Sequence, residues 1–203
     1  MAKAKSNAAK NIIVLFLIAL VSVSILAVLN QVTLEPIAAA EAEARAEVYR
    51  AVYPDAEDIK DVEDFDGLLG GFTPSDTGVK INAVLEASKG GEKTGYVVDA
   101  TSPNGYGGDV QIAVGITNEG EITAFKVISA SETPGLGAKS MDDEYASQFG
   151  GLSALTPIGF SKTGANRDNN EIDAISGATI TTTATTQAVN EAIKLYNDVL
   201  KGE

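Results

Sequence analysis

The residues best suited to chemistry lie in two short segments of small and hydroxylated side chains. Asp173-Ala174-Ile175-Ser176-Gly177-Ala178-Thr179 runs into the last helical stretch of the chain. An SGAT tetrapeptide before a helix presents hydroxyls and backbone amides at the positive end of the helix dipole, where a phosphate is best held. Helix capping is the simpler use of such residues. A cap needs one hydroxyl, however, and this segment supplies two, with an acid six residues before the final Thr. The second segment, Glu132-Thr133-Pro134-Gly135-Leu136-Gly137, has the composition of a tight turn. Its exposed amides can approach a planar or anionic ligand, with Leu136 as an apolar contact. Taken alone, it is equally a surface turn that ends a strand.

What the chain lacks narrows the chemistry further. Its 203 residues include no His and no Cys. Disulfides, thiolate nucleophiles, cysteine-ligated iron–sulfur clusters, imidazole bases and the usual axial haem ligands are therefore excluded. A protein of this composition that handles electrons must borrow an organic cofactor. The acids are scattered instead of grouped at ligand spacing, so no metal site is expected. Residues 1–30 hold three lysines and no acid, leaving 12 basic against 28 acidic groups, a net of −16, on the other 173 residues. Nucleic acid is an improbable partner for such a body.

The elements that must position these segments read as α+β. Lys93 to Ala100 is a strand candidate. Val110, Ile112, Val114 and Ile116 alternate with Gln111, Ala113, Gly115 and Thr117 as a half-buried strand, and Asn118-Glu119-Gly120 connects to a return over Ile122 to Ala130. Hairpins instead of βαβ crossovers imply a largely antiparallel sheet. Ser140 to Phe149 predicts a short helix, with Tyr145, Phe149 and Leu152 on one face. Thr182 to Lys201 predicts another, with Val189, Ile193, Tyr196 and Val199/Leu200 as its stripe. Upstream, Thr33 and Pro36 read as the start of an Ala- and Glu-rich stalk helix that Pro54 stops, its Val48, Tyr49, Val52 and Tyr53 available for packing. Residues 55–77 are acidic and Gly-rich, and read as loops or short irregular strands.

Ile12 to Leu29 is uncharged for 18 residues, polar only at Ser22 and Ser24. At 1.5 Å per residue this spans about 27 Å, just enough for a bilayer core. Lys3, Lys5 and Lys10 precede it, and no Lys or Arg follows until Arg45, which places the N-terminus in the cytoplasm and residues 31–203 outside. A cleavable signal peptide ending near Ala38-Ala39-Ala40 is the competing reading, although the apolar run exceeds the usual h-region. One helix without an ionisable residue makes no ion pathway, so any transport belongs to partner subunits.

Together, DAISGAT, ETPGLG and Gly105-Tyr106-Gly107-Gly108 before the Val110 strand resemble the FMN-binding domain family of bacterial membrane redox complexes. DAISGAT is similar to that family's flavinylation motif, Asp-x-x-(Ser/Thr)-Gly-Ala-(Thr/Ser). The resemblance implies covalent FMN on Thr179, attached through a phosphoester by an FAD:protein FMN transferase, with Thr179 taking no catalytic part in turnover. It implies that Ser176, Gly177 and Ala178 surround the phosphate and that Glu132, Thr133, Leu136 and Gly137 contact the flavin. Lys162 is placed near phosphate or ring, or else is a solvated loop lysine. Asp173 is assigned to recognition or metal-assisted chemistry during modification, and Tyr106 to ring stacking or core packing. Length and single anchor are most similar to the family members that serve Rnf complexes, which couple ferredoxin:NAD⁺ oxidoreduction to Na⁺ or H⁺ translocation. The family member of the Na⁺-translocating NADH:quinone reductase is similar but longer. The implied division is a cytoplasmic tail over 1–11, a transmembrane helix over 12–30, a stalk helix and acidic loop region over 31–77, and the FMN-binding domain over 78–203. The expected partners are the other integral-membrane and redox subunits, with no complete turnover by this chain alone. A flavinylated relay of another redox system, or a non-redox anchored sensor or scaffold, remain the alternatives.

Overall fold

The computed structural model describes residues 2–202, with side chains from residue 9 onward; Lys3 and Lys5, on which the expected orientation partly rests, lie outside the described side chains. The chain forms two compact units, Met1–Ala44 and Arg45–Glu203. The described residues of the first are helical and belong to α1 (Ala2–Val52), whose apolar side chains from Ile12 to Leu34 are exposed all round. Such a surface suits lipid, and the helix is long and apolar enough to cross a membrane. Ser24 returns its hydroxyl to the helix backbone, donating to the Leu20 carbonyl at 2.8 Å.

The expected helix start at Thr33 and Pro36 is not a boundary. Thr33 donates its hydroxyl back to the Leu29 carbonyl at 2.9 Å instead of capping amides ahead of it. Pro36 lies inside α1, where it removes one backbone donor while its flanking turns continue in good helix formers. The helix ends at Val52, before Pro54, because the residue preceding a proline is driven out of the α region.

In the second unit, β1 (Asp58–Asp61), β2 (Lys80–Lys89), β3 (Glu92–Ser102), β4 (Val110–Thr117) and β5 (Ile122–Ala130) form an antiparallel sheet in sequential order. The acidic 55–77 stretch thus contributes an edge strand, and also α2 (Phe65–Gly70), started by the Asp64 side chain accepting from the Gly67 amide at 2.9 Å. Alternation divides β3 between two cores. Tyr96, Val98 and Ala100 face the larger one with Ile112, Val114 and Ile116 of β4. Val97 and Ala113 face a smaller one under Tyr49, Val52 and Tyr53 at the end of α1. The β4 strand is consequently not half-buried as expected: Ala113 and Gly115 are covered as well. Thr123 donates its hydroxyl to the Val52 carbonyl, and a Cβ on Gly115 would collide with that same carbonyl.

Helix α4 (Thr179–Asp198) closes the larger core through Ala184, Ala188, Val189, Ala192, Leu195 and Tyr196. It starts three residues before the expected Thr182 and ends three before Lys201, its last turn giving way to a 3-10 turn over Leu200–Gly202. Its threonines have poor helix propensity, and Thr182, Thr183 and Thr186 return their hydroxyls to carbonyls one turn back. The helix expected over Ser140 to Phe149 is a 3-10 turn (Gly137–Met141) followed by the single turn α3 (Asp143–Ala146). The anticipated face is nevertheless formed: Phe149 stacks on Phe125 at 4.1 Å between ring centres, with Tyr145 edge-on to both. A parallel pair, β6 (Gly159–Ser161) with β7 (Glu171–Asp173), leads into the DAISGAT segment.

Candidate functional site

Two glycine turns form the site. In the first, Leu136 N–H donates to the Thr133 carbonyl at 3.1 Å with Gly135 at φ 77°, the position a type II turn reserves for glycine after proline. In the second, Ala178 N–H donates to the Ile175 carbonyl at 2.9 Å, and Gly177 also has φ 77°. The turns abut, since a Cβ on Gly177 would lie 3.3 Å from Leu136 Cδ2. Between them and the start of α4 opens a pocket of about 490 Å³, lined by Tyr106, Glu132, Thr133, Leu136, Gly137 and the stretch Gly177–Thr181.

Thr179 is the first residue of α4 and is half-buried at this pocket. The residue before it, Ala178, has no side chain able to cap, and the first turn carries no acid. The leading N–H groups of a 20-residue helix are therefore left to whatever occupies the pocket, at the helix end that favours negative charge. Thr182 secures this arrangement from beneath: its buried hydroxyl oxygen accepts from Ile175 N–H at 3.0 Å and donates to the Ala178 carbonyl at 3.0 Å.

Glu132 joins three elements. One carboxylate oxygen accepts from Tyr106 N–H at 2.9 Å and Gly107 N–H at 3.4 Å, and the other accepts from the Thr181 hydroxyl at 3.0 Å. Side chains on Gly105 or Gly137 would collide with this carboxylate, which accounts for glycine in both segments. Leu136, Tyr106 and Ile180 stand exposed around the opening, Tyr106 at 71%. The opening is thus an apolar rim over a polar floor.

Glu132, Thr133, Leu136, Gly137, Gly177, Ala178 and Thr179 are brought together as anticipated from the sequence, and Tyr106 joins them at the rim, outside the core. Ser176 and Asp173 instead line a neighbouring cleft of about 380 Å³ with Lys139, Asp142, Glu144 and Tyr145. Asp173 is occupied in the fold, accepting from Ala165 N–H at 2.7 Å. Lys162 is exposed one residue beyond the Ser161↔Asp173 pair and does not line the pocket. Burial pushes the Tyr145 phenol up to about 12, against the opposing effect of its hydrogen bond to Thr185, so it is no proton donor at neutral pH. Thr181, Thr182 and Ile180 were not singled out by sequence reasoning; the i+2 and i+3 positions after Thr179 are the nearest signal for the two threonines.

Residues 105–194 match the FMN-binding domain family. Over 194 residues the chain is 34% identical to the G subunit of the Na(+)-translocating ferredoxin:NAD(+) oxidoreductase complex of Acetobacterium woodii, covering 93% of this chain and 91% of the relative. The chain belongs to the G-subunit family of ion-translocating oxidoreductase complexes. The G subunit of the ion-translocating oxidoreductase complex of Pseudomonas aeruginosa is 30% identical, with 93% and 88% coverage. Among solved structures, NqrC of Shewanella oneidensis superposes with a TM-score of 0.53 at 21% identity, over 60% of this chain and 61% of that one, which shows a shared fold. The pocket lies wholly within the matched FMN-binding region.

Proposed function

We propose that this chain carries FMN through a phosphoester at Thr179 and relays electrons between neighbouring redox subunits of a ferredoxin:NAD⁺ oxidoreductase complex coupled to ion translocation. The observation that carries the reading is the placement of Thr179: a hydroxyl on the first residue of an uncapped helix, opening into a pocket with an apolar rim. The residues fit the group. Amides of the first turn of α4 suit an esterified phosphate, and Leu136, Ile180 and Tyr106 offer apolar surface to a flavin ring.

Bound FMN supplies the electron chemistry, for which a chain without His or Cys has no group of its own. The protein's residues hold and orient. During attachment the Thr179 hydroxyl would give its proton to the transferase and its oxygen would bond to the FMN-side phosphorus of FAD as the pyrophosphate P–O bond breaks and AMP leaves. Ser176, within the turn, and Asp173, whose carboxylate ties down the 161–165 loop, then shape the segment offered to the transferase. Lys162, on that loop, supplies positive charge near the segment. A tether also keeps the cofactor at a fixed high local concentration outside the cytoplasm, where a free one would be diluted. Orientation follows the lysines before the apolar run, with the N-terminus cytoplasmic and the domain outside.

Producing the chain with its transferase and denaturing it on a gel tests this directly. Wild type and Thr179→Ser are expected to keep flavin fluorescence after denaturation, and Thr179→Val to lose it. Fluorescence that survives in Thr179→Val would place the attachment elsewhere.

A further inference from the structure

Glu132 is the single charged residue lining the flavin pocket among the described residues, and it is an acid. No Lys or Arg shares that lining. Its position is fixed from both sides, by Tyr106 N–H and Gly107 N–H on one oxygen and by the Thr181 hydroxyl on the other. It cannot swing away without releasing the Tyr106 turn from α4, and the absent Cβ atoms of Gly105 and Gly137 make room for it there. A ligand phosphate near Thr179 therefore meets a fixed negative charge bonded to a residue two positions along the same helix.

We propose that Glu132 is a charge filter, admitting the flavin as the singly charged phosphodiester on Thr179 and rejecting free FMN. This rests on the reading of the pocket as an FMN site. Free FMN carries close to two negative charges on its monoester phosphate at pH 7, whereas esterification to Thr179 removes one. Like charges about 10 Å apart, at an effective dielectric near 20, cost on the order of tenfold in affinity for each charge. The filter keeps the pocket clear of unattached FMN, which would otherwise cover the Thr179 hydroxyl before the transferase reached it. Covalent attachment then holds what the pocket's own charge repels.

The test uses the full chain in detergent, produced without transferase and titrated at pH 7 with riboflavin and with FMN, following quenching of flavin fluorescence. Wild type is expected to bind uncharged riboflavin about a hundredfold more tightly than FMN, about tenfold for each of the two phosphate charges. In Glu132→Gln the amide still accepts from Tyr106 N–H and can donate to the Thr181 oxygen, so the clamp is kept and the riboflavin-to-FMN affinity ratio falls to within about twofold. Glu132→Ala loses the clamp and weakens both ligands. A merely structural Glu132 would leave the riboflavin-to-FMN ratio unchanged in Glu132→Gln, and that result overturns the proposal. So does wild type binding FMN as tightly as riboflavin, or no variant binding either flavin. Mass spectrometry of the transferase-treated chain separates the two layers: FMN on Thr179 with no discrimination removes the filter alone, while an unmodified Thr179 removes the underlying reading.

Discussion

Thr179 owes its suitability to place more than to chemistry, since seven other threonines and serines lie within ten residues of it or line its pocket and none shares its position. It heads α4, it is half-buried, and nothing caps the amides beside it. That position depends on Thr182, whose hydroxyl oxygen receives the Ile175 amide under the Gly177 turn. Replacing Thr182 by Val keeps the shape and removes the acceptor, leaving a buried N–H unpaired. The expected cost is about 1–3 kcal/mol, read from the urea midpoint, with slower FMN attachment under limiting transferase. An unchanged midpoint and rate would show that the turn holds without that bond. Gly177→Ala tests the same turn from the backbone, because φ 77° is costly for any residue with a Cβ. It is expected to lower both the urea midpoint and the attachment rate.

At the scale of elements, the end of α1 is built into the domain through a buried acid. Asp99 on β3 is fully buried and accepts from Tyr49 at 2.7 Å, Asn82 at 2.7 Å and Gln111 at 2.9 Å. Burial, then the bond to Asp99 and its charge, raise the Tyr49 phenol well above its usual range, and burial raises Tyr53, Tyr145 and Tyr196 in the same direction. The unfolded chain therefore releases these protons first once the pH passes about 10. Their contribution is intact below that pH and is lost as the pH climbs toward the folded values. Urea midpoints are expected to be flat from about pH 7 to 9 and to fall beyond about 10. Tyr49→Phe should lower the midpoint at neutral pH, since Asp99 loses a donor, and should make the alkaline decline shallower. A decline as steep as wild type would remove Tyr49 as its source.

How much of this was legible in the sequence varies with the range of the interaction. The β4–β5 hairpin, the buried Tyr145–Phe149–Leu152 face and the stripe of α4 were readable because period and turn chemistry are local. A short strand such as β1 was within the expectation for residues 55–77, but its bounds and helix α2 were not readable, because an acidic stretch with few apolar residues shows no period; the pairing of β1 with β2 supplies what its sequence lacks. The boundary expected at Pro36 failed because propensity was outvoted by a long run of helix formers on both sides. In the site, the two glycine turns and Thr179 could be anticipated from composition and resemblance. The Glu132–Thr181 bond, 49 residues apart in the chain, could not.

For the molecule as a whole, the proposed orientation rests on three lysines before the apolar run and none from there to Arg45. A chain without cysteine is ready for sidedness mapping by single introduced thiols. In intact cells, Glu63→Cys is expected to react with a membrane-impermeant maleimide, and Ala9→Cys to react only after permeabilisation; the reverse pattern would invert the topology. The central claim, that the electron chemistry of this protein rests on one flavin tethered through a threonine, is tested most directly by peptide mass spectrometry of the chain isolated from its native membranes. The account predicts a Thr179 peptide heavier by one FMN less one water. A native Thr179 peptide at its unmodified mass would contradict it.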